Sequence, residues 1–180
     1  MLQITIPSIE LWDESKEEYV YMKERTLQLE HSLVSLSKWE SKWCKSFISN
    51  KNITEEETMD YIRCMTLTQN VPKEVYDYMP DSIIEQITAY INAPMTATYF
   101  SKMDNRKSSR EPVTSELIYY WMIAMNIPFE CQKWHLNRLL TLIRVCNIKN
   151  TPPKKMSKRA MMSRNSALNA ARRQQLGSRG

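Results

Sequence analysis

Cys131 and His135 stand four positions apart, the spacing that brings a thiol and an imidazole to one side of a helix, where they can chelate a metal or act as nucleophile and base. Zinc needs four ligands in a closed site, or three and a water in an open one. Cys146 lies further along the same stretch and the only other histidine is His31, so the ligand count falls short and no metal is expected. As a nucleophile and base the pair has neither a recognisable oxyanion-hole motif nor a third residue to orient the imidazole. Ordinary buried or half-buried side chains account for both residues better. Glu55, Glu56, Glu57 and Asp60 gather four carboxylates, but Thr54-Glu55-Glu56-Glu57 is a capping box in which Glu57 reaches back to the cap N–H. Acids in a first turn also suit the positive end of the helix dipole. No catalytic, metal-binding or cofactor-binding residue is assigned.

The cations carry a sharper signature. From Lys149 onward the chain has nine positive charges and no acid. The whole chain is +5, so the residues before Lys149 sum to −4 (5 − 9 = −4). A mildly acidic body thus bears a strongly basic tail, and the candidate partner-binding residues are Lys154, Lys155, Lys158, Arg159, Arg164, Arg172 and Arg173. Such a tail suits either phosphates, through counterion release, or an acidic protein surface. No aromatics are interleaved with the charges, which argues against stacking on single-stranded bases, and nucleic acid is not the favoured partner. Trp39 with Trp43, and Trp121 with Trp134, could form a binding platform, but large rings on regular stripes more often pack internally. Twelve methionines hint at adaptable surfaces, because the unbranched thioether repacks against varied partners.

The elements that would hold these residues are mostly helices. Thr114 to Lys149 has the densest apolar periodicity: Leu117, Ile118, Trp121, Ala124 and Met125 share one helical side, with Thr114 or Ser115 as cap. Pro128 ends that helix, and a second beginning just after it places Leu136, Leu139, Leu140, Ile143 and Cys146 on one face. A buried helical hairpin with a very short connection is expected, with Leu140 deep in its seam. Earlier in the chain, Leu33, Leu36, Trp39, Trp43 and Phe47 mark another helix, and Thr54 starts one that runs to about Met65. Pro72 opens a short piece through Tyr78, and Asp81 caps a helix bearing Ile83 or Ile84, Ile87 and Ile91.

Leu2, Ile4 and Ile6 alternate with polar residues as a short strand, and Tyr19–Met22 and Thr26–Glu30 suggest two more around the charged turn Lys23-Glu24-Arg25. Ser101 to Pro112 is polar and aperiodic, an expected exposed loop. Pro152-Pro153 is a stiff joint, and Ser157 to Gln175 favours a helix, partly mobile until a partner orders it. The fold expected is mainly α: a compact helical body over residues 1–150 with a small N-terminal β element, and a basic tail over 151–180. The longest near-continuous apolar run, Leu117 to Met125, is far short of the roughly 20 residues a membrane helix needs. With no signal-like N-terminus and no CxxC pair among the four cysteines, a soluble protein with free thiols in a reducing cytoplasm follows.

The run from Ser115 to Gly180, together with LQLEHSLVSLSKWESKW and DYIRCMTLTQNV, resembles the tail assembly chaperones of tailed bacteriophages, most specifically over Glu116 to Lys155. The resemblance implies a largely helical, non-enzymatic factor of the host cytoplasm. It would coat the long tape-measure protein and recruit the tail-tube subunits that replace it, with self-association possible and no catalytic residues. A structural virion component, such as a head-tail connector or tail completion protein, is the alternative. A small DNA-binding regulator using Gln132 to Cys146 is disfavoured, because that helix carries too many leucines to be free for a groove.

Overall fold

The computed structural model describes residues 1–13, 17–50, 52–100, 111–151 and 157–177. Its fold is mainly α, with a small N-terminal β element. β1 (Leu2–Ile6) pairs antiparallel with β4 (Arg25–Leu29), and alternation sends Ile4, Ile6, Leu27 and Leu29 inward. β2 (Ile9–Asp13) pairs with β3 (Glu18–Met22) in the same register, since partner numbers sum to 31 in both ladders. The β element is thus a ribbon interrupted where Pro7-Ser8 faces Lys23-Glu24. A proline has no N–H to give to a ladder, which accounts for a break at that point.

Among the described residues four strands in two ladders replace the two or three expected, and the strands flanking Lys23-Glu24 pair with β2 and β1. The strand missed was β2. Its signal, apolar Ile9 and Leu11 around Glu10, was readable, but Trp12 on the polar side obscured the alternation.

Helix α1 (Leu33–Trp43) starts at Ser32, whose hydroxyl accepts from Ser35 N–H while the Ser35 hydroxyl accepts from Ser32 N–H. Leu33, Leu36, Trp39 and Glu40 face inward, and the helix ends at Cys44 in the left-handed region. Phe47, expected on the same stripe, lies beyond that end and stacks on Tyr61 with centroids 3.8 Å apart. Thr54 caps α2 (Glu55–Met65) through the capping box read from sequence. The chain after α2 runs back along β4: Glu30 N–H donates to the Met65 carbonyl and Leu67 N–H to that of Gln28. Next come the short α3 (Glu74–Asp77) and α4 (Asp81–Asn92), which buries Ile83, Ile87 and Tyr90. Asp81 sits inside the first turn of α4 and gives no side-chain cap bond, contrary to its expected role; Pro80 holds the cap position.

Helix α5 (Ser115–Ala124) is capped by Thr114, buries Ile118 and Met122, and leaves Ala124 exposed. A 3-10 turn, Phe129–Lys133, leads to α6 (Leu136–Asn150). The expected tight hairpin does not form, and the central element is α1, on which α2, α5 and the 3-10 turn all pack. The reason lies in pairing that sequence does not display. Trp134 is extended, His135 bridges Ser32, and Leu136 N–H donates to the His31 carbonyl at 2.7 Å, so the backbone entering α6 pairs with the segment just after β4 and not with α5.

Leu139 is fully buried, whereas Leu140, expected deep in the seam, is half-buried. Leu139→Ala is expected to cost about 2–5 kcal/mol through lost transfer energy and a partly relaxed cavity, and Leu140→Ala distinctly less. Arg138 stacks over the Trp134 ring at 4.2 Å, so Arg138→Ala should cost about 0.5–1 kcal/mol. Urea midpoints of the three variants check this order; equal shifts for Leu139 and Leu140 would contradict it.

The last helix, α7 (Lys158–Leu176), is capped by Ser157 and ends at Gly177, whose positive φ favours a residue without a Cβ. The chain divides into two compact units, Met1–Asn147 and Ile148–Gly180. The loop expected at Ser101 to Pro112 lies outside the described residues over 101–110, as does the Pro152-Pro153 joint.

Candidate functional site

The chemistry weighed and set aside for Cys131 and His135 would have required a shared helix face. Cys131 is buried in the 3-10 turn, and His135 follows an extended residue, so the assumed face does not exist. Asn137 N–H donates to His135 Nδ1 at 3.3 Å, which leaves Nε2 to carry the proton and donate to the Tyr90 carbonyl at 3.0 Å. Both ring nitrogens are occupied by structural bonds. His31 packs beside it, ring centroids 5.0 Å apart, with Nδ1 2.6 Å from the Tyr61 hydroxyl. Burial pushes that hydroxyl's pKa up, so it stays protonated and can donate. Among the described residues no group of three or more His, Cys, Asp and Glu side chains is arranged to hold a metal ion.

The two histidines tie the end of β4, α2, α4 and the start of α6 into one buried polar knot, and they make stability depend on pH. Burial, helped by His135, lowers the pKa of His31 from 6.5 to about 4, and burial lowers that of His135 too. The unfolded chain takes up these protons near pH 6.5, the folded chain only at lower pH, so stability falls as pH drops. The contribution is whole above about pH 6.5 and is lost towards pH 4, roughly 3 kcal/mol for His31. Urea midpoints measured from pH 7 to 4.5 should fall steeply in the wild type and less in His31→Gln. Parallel curves would show that His31 is not the group responsible.

The α2 carboxylates also act structurally. Glu57 completes the capping box and meets Lys45, whose hydrogen bond, with that of Thr54, holds the carboxyl below its usual pKa. Burial opposes ionisation of Asp60, but bonds from Lys42 at 2.6 Å and from Trp43 Nε1–H at 2.9 Å outweigh it and lower its pKa. Trp39 is core, and Trp43, Trp121 and Trp134 are half-buried against it, so no free tryptophan platform exists at these positions.

The basic tail is different in kind. Lys158, Arg159, Arg164, Arg172 and Arg173 lie on α7, all exposed, and no residue of that helix is buried. Lys154 and Lys155 lie outside the described residues. Sequence reasoning passed over two further surfaces. Trp12, Tyr19 and Tyr21 are exposed on the β2–β3 ribbon, with Trp12 and Tyr19 edge to face at 4.9 Å. An acidic, methionine-lined groove of about 500 Å³ lies between α2, α3 and α4. No protein-family model, curated protein or solved structure matches the chain. Among the described residues no helix is long and apolar enough to cross a membrane.

Proposed function

We propose that this chain is a non-enzymatic assembly factor of a tailed bacteriophage, a tail assembly chaperone. It works in the host cytoplasm, binds helical segments of the tape-measure protein, and recruits tail-tube subunits. The observation that carries this reading is α7: a helix of 19 residues with five cations, no acid and no buried residue. Most helices are held by burying an apolar face, and no residue of α7 is buried. Its charge favours an acidic partner surface, and exposed Met161, Met162 and Leu168 add adaptable apolar contact. The resemblance of the sequence to the chaperone family supplies the identity of that partner.

Co-expression of the phage's tape-measure protein with and without this chain tests the proposal. The tape measure should be soluble only with it. Replacing Lys158, Arg159, Arg164, Arg172 and Arg173 by Gln should slow association about tenfold at low salt and flatten its salt dependence, as expected for charges that steer encounter. A tape measure equally soluble alone would refute the chaperone. So would this chain at fixed copy number in finished particles, which would establish a structural virion component.

A further inference from the structure

Residues 54–92, which span α2, α3 and α4, hold eight acids and two bases, a net of −6, more than the whole −4 of the body. The body's negative charge is therefore gathered here, and the rest of residues 1–148 is slightly basic. Between these helices runs the groove of about 500 Å³. Its apolar floor is Ile53, Met59, Met79 and Ile84, and its acids are Glu55, Asp77 and Asp81, all three exposed and with no lysine or arginine among the lining residues. Among the described residues none of these three acids makes an ion pair.

Helix α7 has the complementary pattern. Lys158, Met161, Arg164, Leu168 and Arg172 follow one another at intervals of three and four, which places them on one face of the helix. That face alternates three cations with two apolar side chains, and the groove is lined by three acids together with methionine and isoleucine. Methionine on both surfaces lets each repack around the other.

We propose that the groove between α2, α3 and α4 is the docking site for the α7 helix of a second copy of this chain, so that the protein self-associates tail to body. Met161 and Leu168 fill the floor, while Lys158 and Arg172 reach the acidic rim. The contact joins two different surfaces, so it closes either as a reciprocal dimer or as a ring, or continues as an open array. It depends on the charges of this chain alone and does not rest on the identity of the tape-measure partner. The same face of α7 cannot serve a second copy and another acidic partner at once, so self-association would compete with partner binding.

Sedimentation velocity of the full chain, over a concentration series at about 50 mM and about 500 mM salt, tests this. The Debye length shrinks from about 14 Å to about 4 Å between the two. The expected result is a mass above monomer that rises with concentration at low salt and collapses to monomer at high salt. Asp77→Lys with Asp81→Lys should leave monomers, and so should Lys158→Glu with Arg172→Glu. Since all four positions are exposed, far-UV circular dichroism should confirm that both variants remain folded. The decisive step is mixing. The groove variant keeps an intact tail and the tail variant an intact groove, so an equimolar mixture should recover one junction and form pairs. A wild type that is monomeric throughout, association unaffected by either variant, or a mixture that stays monomeric would each overturn the proposal.

Discussion

Trp39→Ala is expected to be the most damaging single substitution in the body, costing about 3–5 kcal/mol. That is a large part of the roughly 5–15 kcal/mol that holds a typical domain together. Trp39 is 0% exposed and sits at the centre of an aromatic group, edge to face with Phe47 at 5.0 Å and Tyr61 at 6.5 Å, and stacked with Trp43 at 6.2 Å. Its removal leaves a cavity in α1, the helix on which α2 and α5 pack. It also removes the buried hydrogen bond that Trp39 Nε1–H donates to the Glu57 carbonyl at 2.8 Å. Trp39→Phe keeps most of the volume and loses the bond and part of the ring packing, so it should recover more than half of the loss. The check is the urea midpoint of the two variants with the slope compared to wild type. If Trp39→Ala shifts it no more than Tyr120→Ala, on the exposed side of α5, then α1 is not the centre of this fold.

The second large effect is expected at Glu40, a carboxylate only 7% exposed that binds no cation among the described residues. One oxygen accepts from Phe47 N–H at 3.0 Å and the other from Ser115 N–H at 2.7 Å. Ser115 opens α5, so a side chain of α1 satisfies a free donor at the start of a helix 75 positions away and faces the positive end of its dipole. Glu40→Ala leaves two amide donors without their acceptor at roughly 1–3 kcal/mol each, and about 2–6 kcal/mol in total is expected. Glu40→Gln should fall between the two, because its amide keeps one acceptor oxygen and turns an NH₂ toward the other donor. Hydrogen exchange at the Phe47 and Ser115 amides should speed up selectively in Glu40→Ala. Unchanged protection at both would contradict the capping role.

The candidate site was legible wherever it depended on charge. The sequence predicts a basic helix over Ser157 to Gln175 with no acids and apolar residues too sparse to guarantee docking, and α7 is exposed throughout. The acidic groove was not legible, because Glu55, Asp77 and Asp81 are spread over three helices and become neighbours only when those helices pack. Periodicity says that a helix has a face and leaves open which other helix supplies the opposite wall.

The same division runs through the fold. Local sequence determined what short-range physics controls: the Thr54–Glu57 capping box, the stripe Leu33, Leu36, Trp39, the start at Thr114, the left-handed stop at Gly177, and the charge split between body and tail. Each depends on backbone donors, side-chain spacing or counts of charge within a few turns. Tertiary structure alone decided that α1 and not the 114–149 stretch is the centre, that the start of α6 is tied to the His31 carbonyl, and that Cys131 and His135 share no face. It also decided that Glu40 turns inward to cap α5. The physical reason is common to all four: buried N–H and C=O groups must find partners, and when the nearest suitable partner is tens of residues away, no local pattern records it.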